Sequence, residues 1–168
     1  MTEALSSHAR TLLARLGRRY FLSHPSARNQ ALVQNHFRKW CTDEELEVAT
    51  RRGFRMAVSP RDYISHRIYF FGDYDPGMSD IVTAHLRPGQ TAWDVGTDRG
   101  WFTLLMAERV GPRGRVDAFE AFPPNADKLA ANVARNRMRW VQVNGVAVSG
   151  RAGAMWFVPP SDEVTQHL

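Results

Sequence analysis

The sequence predicts an α/β fold, in which an incomplete parallel sheet follows a β-hairpin and, before that, a helical segment. From residue 91 onward, short apolar runs alternate with longer helical stretches, a pattern typical of a parallel sheet with right-handed crossovers. The first 52 residues instead show apolar residues at helical spacing. We therefore expect a helical segment over residues 1–52 and an α/β domain over residues 53–168.

Composition narrows the classes of function. The chain has 168 residues, of which 43% are hydrophobic and 23% charged, as expected for a folded domain with a core. We see no apolar run of the roughly 20 residues that a membrane span needs and no secretory signal, and we expect a cytoplasmic protein. The single cysteine, Cys41, excludes an internal disulfide. We expect it to be a half-buried thiol, because no catalytic partners accompany it.

The net positive charge suggests a second class of function, nucleic-acid binding. The formal charge is +5, the pI is near 10, and much of the excess lies in the first 67 residues as arginine. The segment lacks the aromatic platform of single-strand binders and any zinc-finger pattern. We expect a solvated helical face and no nucleic-acid partner, and steep salt dependence of binding would be the evidence against this.

The N-terminal segment is expected to form three helices. Leu12 and Leu16 belong to an apolar stripe at helical spacing, and a second helix is expected over residues 27–40. Thr42 followed by Glu45 resembles a capping box and predicts a short third helix. The stripe is expected to pack on its own domain, with a membrane surface or a partner chain as alternatives.

A β-hairpin is expected next. Residues 54–58 and 63–70 are rich in strand-forming side chains and flank a turn at residues 59–62. A helix over about residues 78–87 should then lead into the sheet. The alternating part predicts strands at 91–95, 115–119 and 140–143, helices at 101–110 and 123–137, and a further strand at 154–158.

The glycine turn after the first of these strands is the informative motif. It runs from Asp94 to Gly100 as Asp-Val-Gly-Thr-Asp-Arg-Gly and opens a helix. Gly96 lets the backbone turn close to a ligand, and helix N-terminal amides favour a negative group. Asp94 is placed to attract a cationic amine. Glu120, which ends the next strand 20 residues after Gly100, is placed to accept hydrogen bonds from ribose hydroxyls.

These features predict a pocket for an adenosine-containing ligand with an amino-acid end. A dinucleotide is not expected, because its fingerprint has a glycine beside the pyrophosphate, where this chain has Thr97 and Asp98. The carboxylate of Asp98 would repel a phosphate. The alternative interpretation is a tight strand-to-helix turn that binds nothing, with a Glu120 that is merely solvated.

Several segments together resemble the FkbM-type methyltransferases, which are S-adenosylmethionine-dependent enzymes of class I with a Rossmann-like sheet. The resemblance covers roughly residues 53–158 and is strongest in 93–103, 114–123, Asn132, Asn136, 68–76 and 144–150. It implies that Asp94, Gly96 and Gly100 line the methionine end of S-adenosyl-L-methionine, with Thr97 in the same loop.

The same resemblance implies that Glu120 binds the ribose and that Ala121 and Asn144 lie near the adenine. The chain departs from the family at Asp98 and Arg99, where a small or asparagine-like residue and an apolar one are usual. It also departs at Ala121, where proline is usual. These departures put a normal cofactor affinity in doubt.

The resemblance also shows what is missing. The class has seven strands in the order 3-2-1-4-5-7-6, and this sequence supplies the first three. We expect a fragment or truncated product, or alternatively a short protein with a repurposed half-domain. Without strand 4, one edge of residues 91–95 is bare, and the alternatives are that the hairpin at 54–70 covers it or that the chain self-associates through it.

The implied function is methylation of a hydroxyl on a sugar, glycan or natural product, with a small-molecule or glycan acceptor. The alternative is a degenerate cofactor-binding or interaction module without turnover. We assign no catalytic residue, since His66, His85 and His167 are each expected to be structural or solvated. Asp73 and Asp75 are pocket-edge candidates, and no metal site is expected.

Overall fold

The computed structural model describes residues 5–154. The chain divides after Pro76 into two compact units, Met1–Pro76 and Gly77–Leu168. The domain boundary that we expected after residue 52 stays a prediction. No helix in the described residues is long and apolar enough to cross a membrane.

Two capped helices begin the first unit. Helix α1 spans Ser7–Ser23 and helix α2 spans Ala27–Asn35, and a short 3₁₀ helix follows at Phe37–Trp40. The hydroxyl oxygen of the residue before each α-helix accepts a backbone N–H three residues later, at 3.3 Å for Ser6 and 3.2 Å for Ser26. These caps satisfy donors that a helix start leaves unpaired. Two of the helices expected from the sequence are therefore confirmed.

The third expected helix is wrong, because strand β1 (Leu46–Ala49) lies there and pairs antiparallel with β2 (Arg55–Val58). The hydroxyl oxygen of Thr42 accepts the N–H of Glu44 at 3.1 Å, two residues on, so Thr42 stabilises a turn and not a capping box. The hairpin is present, but its first strand precedes the segment in which we expected both strands.

The expected strand at 63–70 is also wrong, since helix α3 occupies Ser65–Phe71. A carboxylate oxygen of Asp62 accepts the backbone N–H of Ser65 at 2.7 Å and starts this helix. All of its residues except Arg67 are buried. A helix buried on every side has no polar face, so its apolar run could not be distinguished from a strand by periodicity.

The core of the first unit is aromatic. Phe21 of α1 contacts Phe37 edge-to-face at 5.2 Å between ring centroids and Phe70 of α3 at 5.7 Å. Phe37 and Phe70 contact each other at 5.6 Å. Gly17 allows this packing, because a Cβ there would overlap the ring of Phe37. Edge-to-face pairs of this kind fix α1 and α3 against each other beyond the effect of burial alone.

The second unit is a three-stranded parallel sheet with its crossover helices. Its helices and strands are α4 (Pro76–His85), β3 (Thr91–Val95), α5 (Trp101–Val110), β4 (Arg115–Phe119), α6 (Pro123–Arg135) and β5 (Val141–Asn144). The strand order is β3-β4-β5. The predicted α/β class and its alternation are confirmed, while the strand expected at 154–158 lies outside the described residues.

The register places the strand ends together. Val95 lies opposite Phe119, and Phe119 lies opposite Asn144. Because the strands are parallel, the segments that follow β3, β4 and β5 all leave from the same edge of the sheet. Ligands of open α/β sheets bind at this carboxyl edge.

Strand β3 is covered on one face only. Asp94 is buried, whereas Trp93 is 69% exposed and Val95 is 57% exposed. In the described part of the chain β3 pairs only with β4, so it is an edge strand. An apolar run can mark a strand without showing how many layers cover it.

Candidate functional site

The turn after β3 places its two glycines in different surroundings. Gly96 has φ +77° and Gly100 has φ +93°, conformations that favour glycine. A Cβ at Gly96 would meet no atom within 4 Å, so its backbone borders open space. A Cβ at Gly100 would overlap Leu129 of α6. Gly100 therefore allows helix packing, while Gly96 leaves room at the carboxyl edge of the sheet.

The carboxylate of Glu120 connects two loops, the one between β3 and α5 and the one between β4 and α6. One carboxylate oxygen accepts the backbone N–H of Asp98 at 2.9 Å, and the other accepts the N–H of Phe122 at 2.8 Å. The residue is 8% exposed. A carboxylate offers about four acceptor positions, so two amide partners leave capacity for hydroxyl donors of a ligand. The alternative of a merely solvated Glu120 is not what the structure contains.

The side chain of Asp98 contacts helix α6. Its backbone has φ +49°, a left-handed conformation that aspartate tolerates. Its carboxylate accepts a hydrogen bond of 2.7 Å from the Asn125 side chain in the first turn of α6. The carbonyl of Arg99 accepts one of 3.1 Å from Asn132. The two residues that depart from the FkbM pattern thus connect the loop to α6.

Asp94 contributes a second carboxylate near Glu120. It is 9% exposed and accepts a hydrogen bond of 2.5 Å from the hydroxyl of Thr103. Burial raises the pKa of Asp94, the bond from Thr103 opposes this, and the charge of Glu120 raises the pKa further. Two acids at one sheet edge produce a negative potential that favours a cationic group.

The remaining predicted residues lie at the same edge. Thr97 is buried, and its N–H donates to the carbonyl of Phe119 at 3.3 Å. Ala121 follows Glu120 directly and is half-buried. Asn144 ends β5, and its side-chain amide donates to the carbonyl of Ala118 at 3.2 Å. The structure therefore brings the predicted residues to one edge, although their role in binding stays a prediction.

Three partners in this network were not predicted from the sequence: Thr103, Phe122 and Asn125. Thr103 lies in the first turn of α5, and Phe122 contributes only a backbone N–H. No residue-type pattern marks such contacts. Asn125 had a weak signal, since it follows Pro123 and Pro124 at a helix start, where a polar side chain can reach a preceding loop.

The other candidates from the sequence lie elsewhere. His85 is exposed and its Nδ1 bonds to the carbonyl of Ile81, while His167 lies outside the described residues. Asp73 forms an ion pair of 2.7 Å with Arg52.

Cys41 is fully buried rather than half-buried, and burial raises the pKa of its thiol to about 12, which disfavours the nucleophilic thiolate. Among residues 5–154, no group of three acids, histidines or cysteines could hold a metal ion.

Comparison with known proteins supports a class of enzyme. No protein-family model matches the chain. The chain is 34% identical over 86 residues to the protein-L-isoaspartate O-methyltransferase of Ignicoccus hospitalis, covering 50% of this chain and 38% of that enzyme. It is 32% identical over 80 residues to the arsenite methyltransferase of Halobacterium salinarum, covering 48% of this chain and 19% of that enzyme. The chain thus spans less than two fifths of the length of either relative.

A solved structure, of a SAM dependent methyltransferase from Aquifex aeolicus, is 25% identical with a TM-score of 0.38 and covers 42% of this chain and 41% of its own. Both sequence relatives are methyltransferases, and each resembles this chain over about half of its length. That this chain itself binds S-adenosyl-L-methionine stays a proposal. None of these relatives singles out the FkbM type.

Proposed function

We propose that the chain binds S-adenosyl-L-methionine and serves methyl transfer to a hydroxyl on a sugar, glycan or natural product. The observation that supports this most directly is the buried carboxylate of Glu120, fixed by the amides of Asp98 and Phe122 beside the open space at Gly96. An acid fixed in this way at the carboxyl edge of β4 is suited to ribose hydroxyls.

The residues at this edge fit the chemistry of the cofactor. Glu120 would accept hydrogen bonds from the ribose, and the negative potential of Asp94 and Glu120 would favour the cationic sulfonium and amine. Gly96 would allow the ligand to approach the backbone, and the α5 N-terminus would favour a carboxylate. Ala121 and Asn144 are the proposed neighbours of the adenine. When bound, the cofactor supplies an activated methyl group.

Methyl transfer needs little covalent chemistry from the protein, since placing the acceptor oxygen in line accounts for most of the rate. We therefore propose no catalytic base within the described residues. The hydroxyl acceptor rests on the FkbM resemblance. Pairing of the outer edge of β3 with a second chain is part of the same proposal.

A non-catalytic cofactor-binding module is the second candidate. The exposure of Trp93 and Val95 supports this candidate, because one face of β3 is left uncovered in the described residues. Both candidates require cofactor binding and differ in turnover. Transfer of a labelled methyl group from S-adenosylmethionine to sugar hydroxyls would distinguish them, and cofactor binding without transfer would favour the module.

The binding step is tested by calorimetric titration of the folded chain with S-adenosylhomocysteine. We expect saturable binding near one per chain, and loss of binding in Gly96→Asp without unfolding. Gly111→Asp is the matched control, because Gly111 also has positive φ and open surroundings but lies before β4, at the opposite edge. Equal loss in both variants, or in neither, would contradict the site.

A further inference from the structure

The first unit contains a cavity that the methyltransferase proposal does not use. Its volume is about 270 Å³, and His66, Arg67, Tyr63 and Tyr74 are among the residues that line it. Water occupies roughly 30 Å³ per molecule in the liquid, so the cavity could hold a small metabolite rather than one or two waters. The lining combines a cation, hydroxyls and aromatic rings, which is typical of a site for a small polar organic molecule.

His66 supplies a buried acceptor. The residue is 2% exposed, and its Nδ1 lies 3.2 Å from the carbonyl of Asp62. A carbonyl can only accept, so Nδ1 carries the proton and Nε2 is left with a lone pair. Burial lowers the pKa of His66 to about 4, and the charges of Arg38 and Arg67 act in the same direction, so the ring is neutral.

Arg67 and Tyr63 supply donors. The only hydrogen bond of the Arg67 guanidinium to a described residue is a long one of 3.4 Å, to Gln30, so most of its N–H groups are available. The hydroxyl oxygen of Tyr63 accepts from Gln34 at 3.1 Å, which leaves its own hydrogen free to donate. A cation beside a hydroxyl donor is suited to a carboxylate.

We propose that this cavity binds a small monocarboxylic acid that also carries a hydroxyl or N–H group. Arg67 and Tyr63 bind the carboxylate, Nε2 of His66 accepts from the second group, and the rings of Tyr63 and Tyr74 border the remainder. Asp75 adds a negative charge to the lining and disfavours dianions such as phosphate. The proposal is independent of cofactor binding.

The test is titration of the full chain with 3- and 4-hydroxybenzoate, followed by calorimetry and by the ¹⁵N resonance of His66 Nε2. We expect saturable binding of at least one of the two acids, with a shift of the Nε2 resonance. Benzoate lacks the hydroxyl and phenol lacks the carboxylate, so each should bind at least tenfold more weakly. Inorganic phosphate should not compete.

Variants separate the site from nonspecific anion binding. Arg67→Gln should weaken binding at least tenfold, and Tyr63→Phe should weaken it several-fold with the ring retained. Arg19→Gln is the matched control, because Arg19 is an exposed arginine of the same unit that does not line the cavity. The proposal is overturned if the folded chain binds neither hydroxybenzoate, or if Arg67→Gln and Arg19→Gln bind equally.

Discussion

Replacement of Glu120 by glutamine tests the proposed ribose contact with the least change in shape. The variant retains one oxygen, which can still accept either the Asp98 or the Phe122 amide. The other position becomes an NH₂ group that faces an N–H, and the negative charge is lost. We therefore expect both weaker ligand binding and a less stable loop.

The size of the effect follows from these contacts. A hydrogen bond to a charged group contributes about 1.5–3 kcal/mol, so loss of the ribose contact should weaken binding by about the same amount, or roughly 10- to 150-fold in Kd. Glu120 also accepts two backbone amides at 2.9 and 2.8 Å while it is nearly buried. Loss of one of these bonds should lower the free energy of unfolding by about 1–3 kcal/mol.

Two assays separate the two effects. Calorimetric titration with S-adenosylhomocysteine gives Kd, and urea denaturation gives the free energy of unfolding. Glu108→Gln is the matched control, because Glu108 is an exposed glutamate of α5 that is distant in sequence from the turn. The reasoning is refuted if Glu120→Gln binds as tightly as Glu108→Gln, or if it binds weakly only because it is unfolded.

Three further predictions concern stability and binding. Asp94→Asn should raise the melting temperature at pH 7, since a buried charge is removed and the acceptor for Thr103 is kept, yet weaken S-adenosylmethionine binding in calorimetry; a lower melting temperature would contradict this. Gly100→Ala should cost about 2–4 kcal/mol in urea denaturation through its positive φ and its overlap with Leu129, and the cost of Gly100→Ala should be smaller when measured in a Leu129→Ala background if the overlap is real. The pKa of His66 is about 4 when folded against roughly 6.5 when unfolded, so the unfolded state binds the proton first. The free energy of unfolding should therefore fall by roughly 3 kcal/mol from pH 7 to pH 4, and His66→Gln should lack this loss.

The sequence predicted the second unit well because local and tertiary preferences agree there. Residues 91–95 and 115–119 are short, strand-forming and bounded by turns, and the helices between them have clear starts. The first unit was predicted less well. Residues 65–71 have strand-forming side chains and no polar face, so only the tertiary surroundings and the carboxylate of Asp62 favour a helix.

The candidate site divides in the same way. Gly96, Gly100 and Glu120 were predictable, because a positive φ and a strand-end acid are properties of residue type and spacing. The bond from Asn125 to Asp98 and the amide of Phe122 were not, because they depend on how the α6 start meets the preceding loop. Asp98 also has a structural role through its contact with Asn125, and its effect on cofactor affinity stays a prediction.

The exposed indole of Trp93 gives the protein a built-in optical probe. Two other tryptophans are held by their ring nitrogens, Trp101 to the Ser79 hydroxyl at 3.0 Å and Trp140 to the Ala107 carbonyl at 2.9 Å. Trp93 lies on the uncovered face of β3, beside Phe119. Its emission should be red-shifted and readily quenched by iodide. If a strand, a helix or a second chain covers this face, the emission of Trp93 should therefore shift to shorter wavelength, and iodide should quench it less.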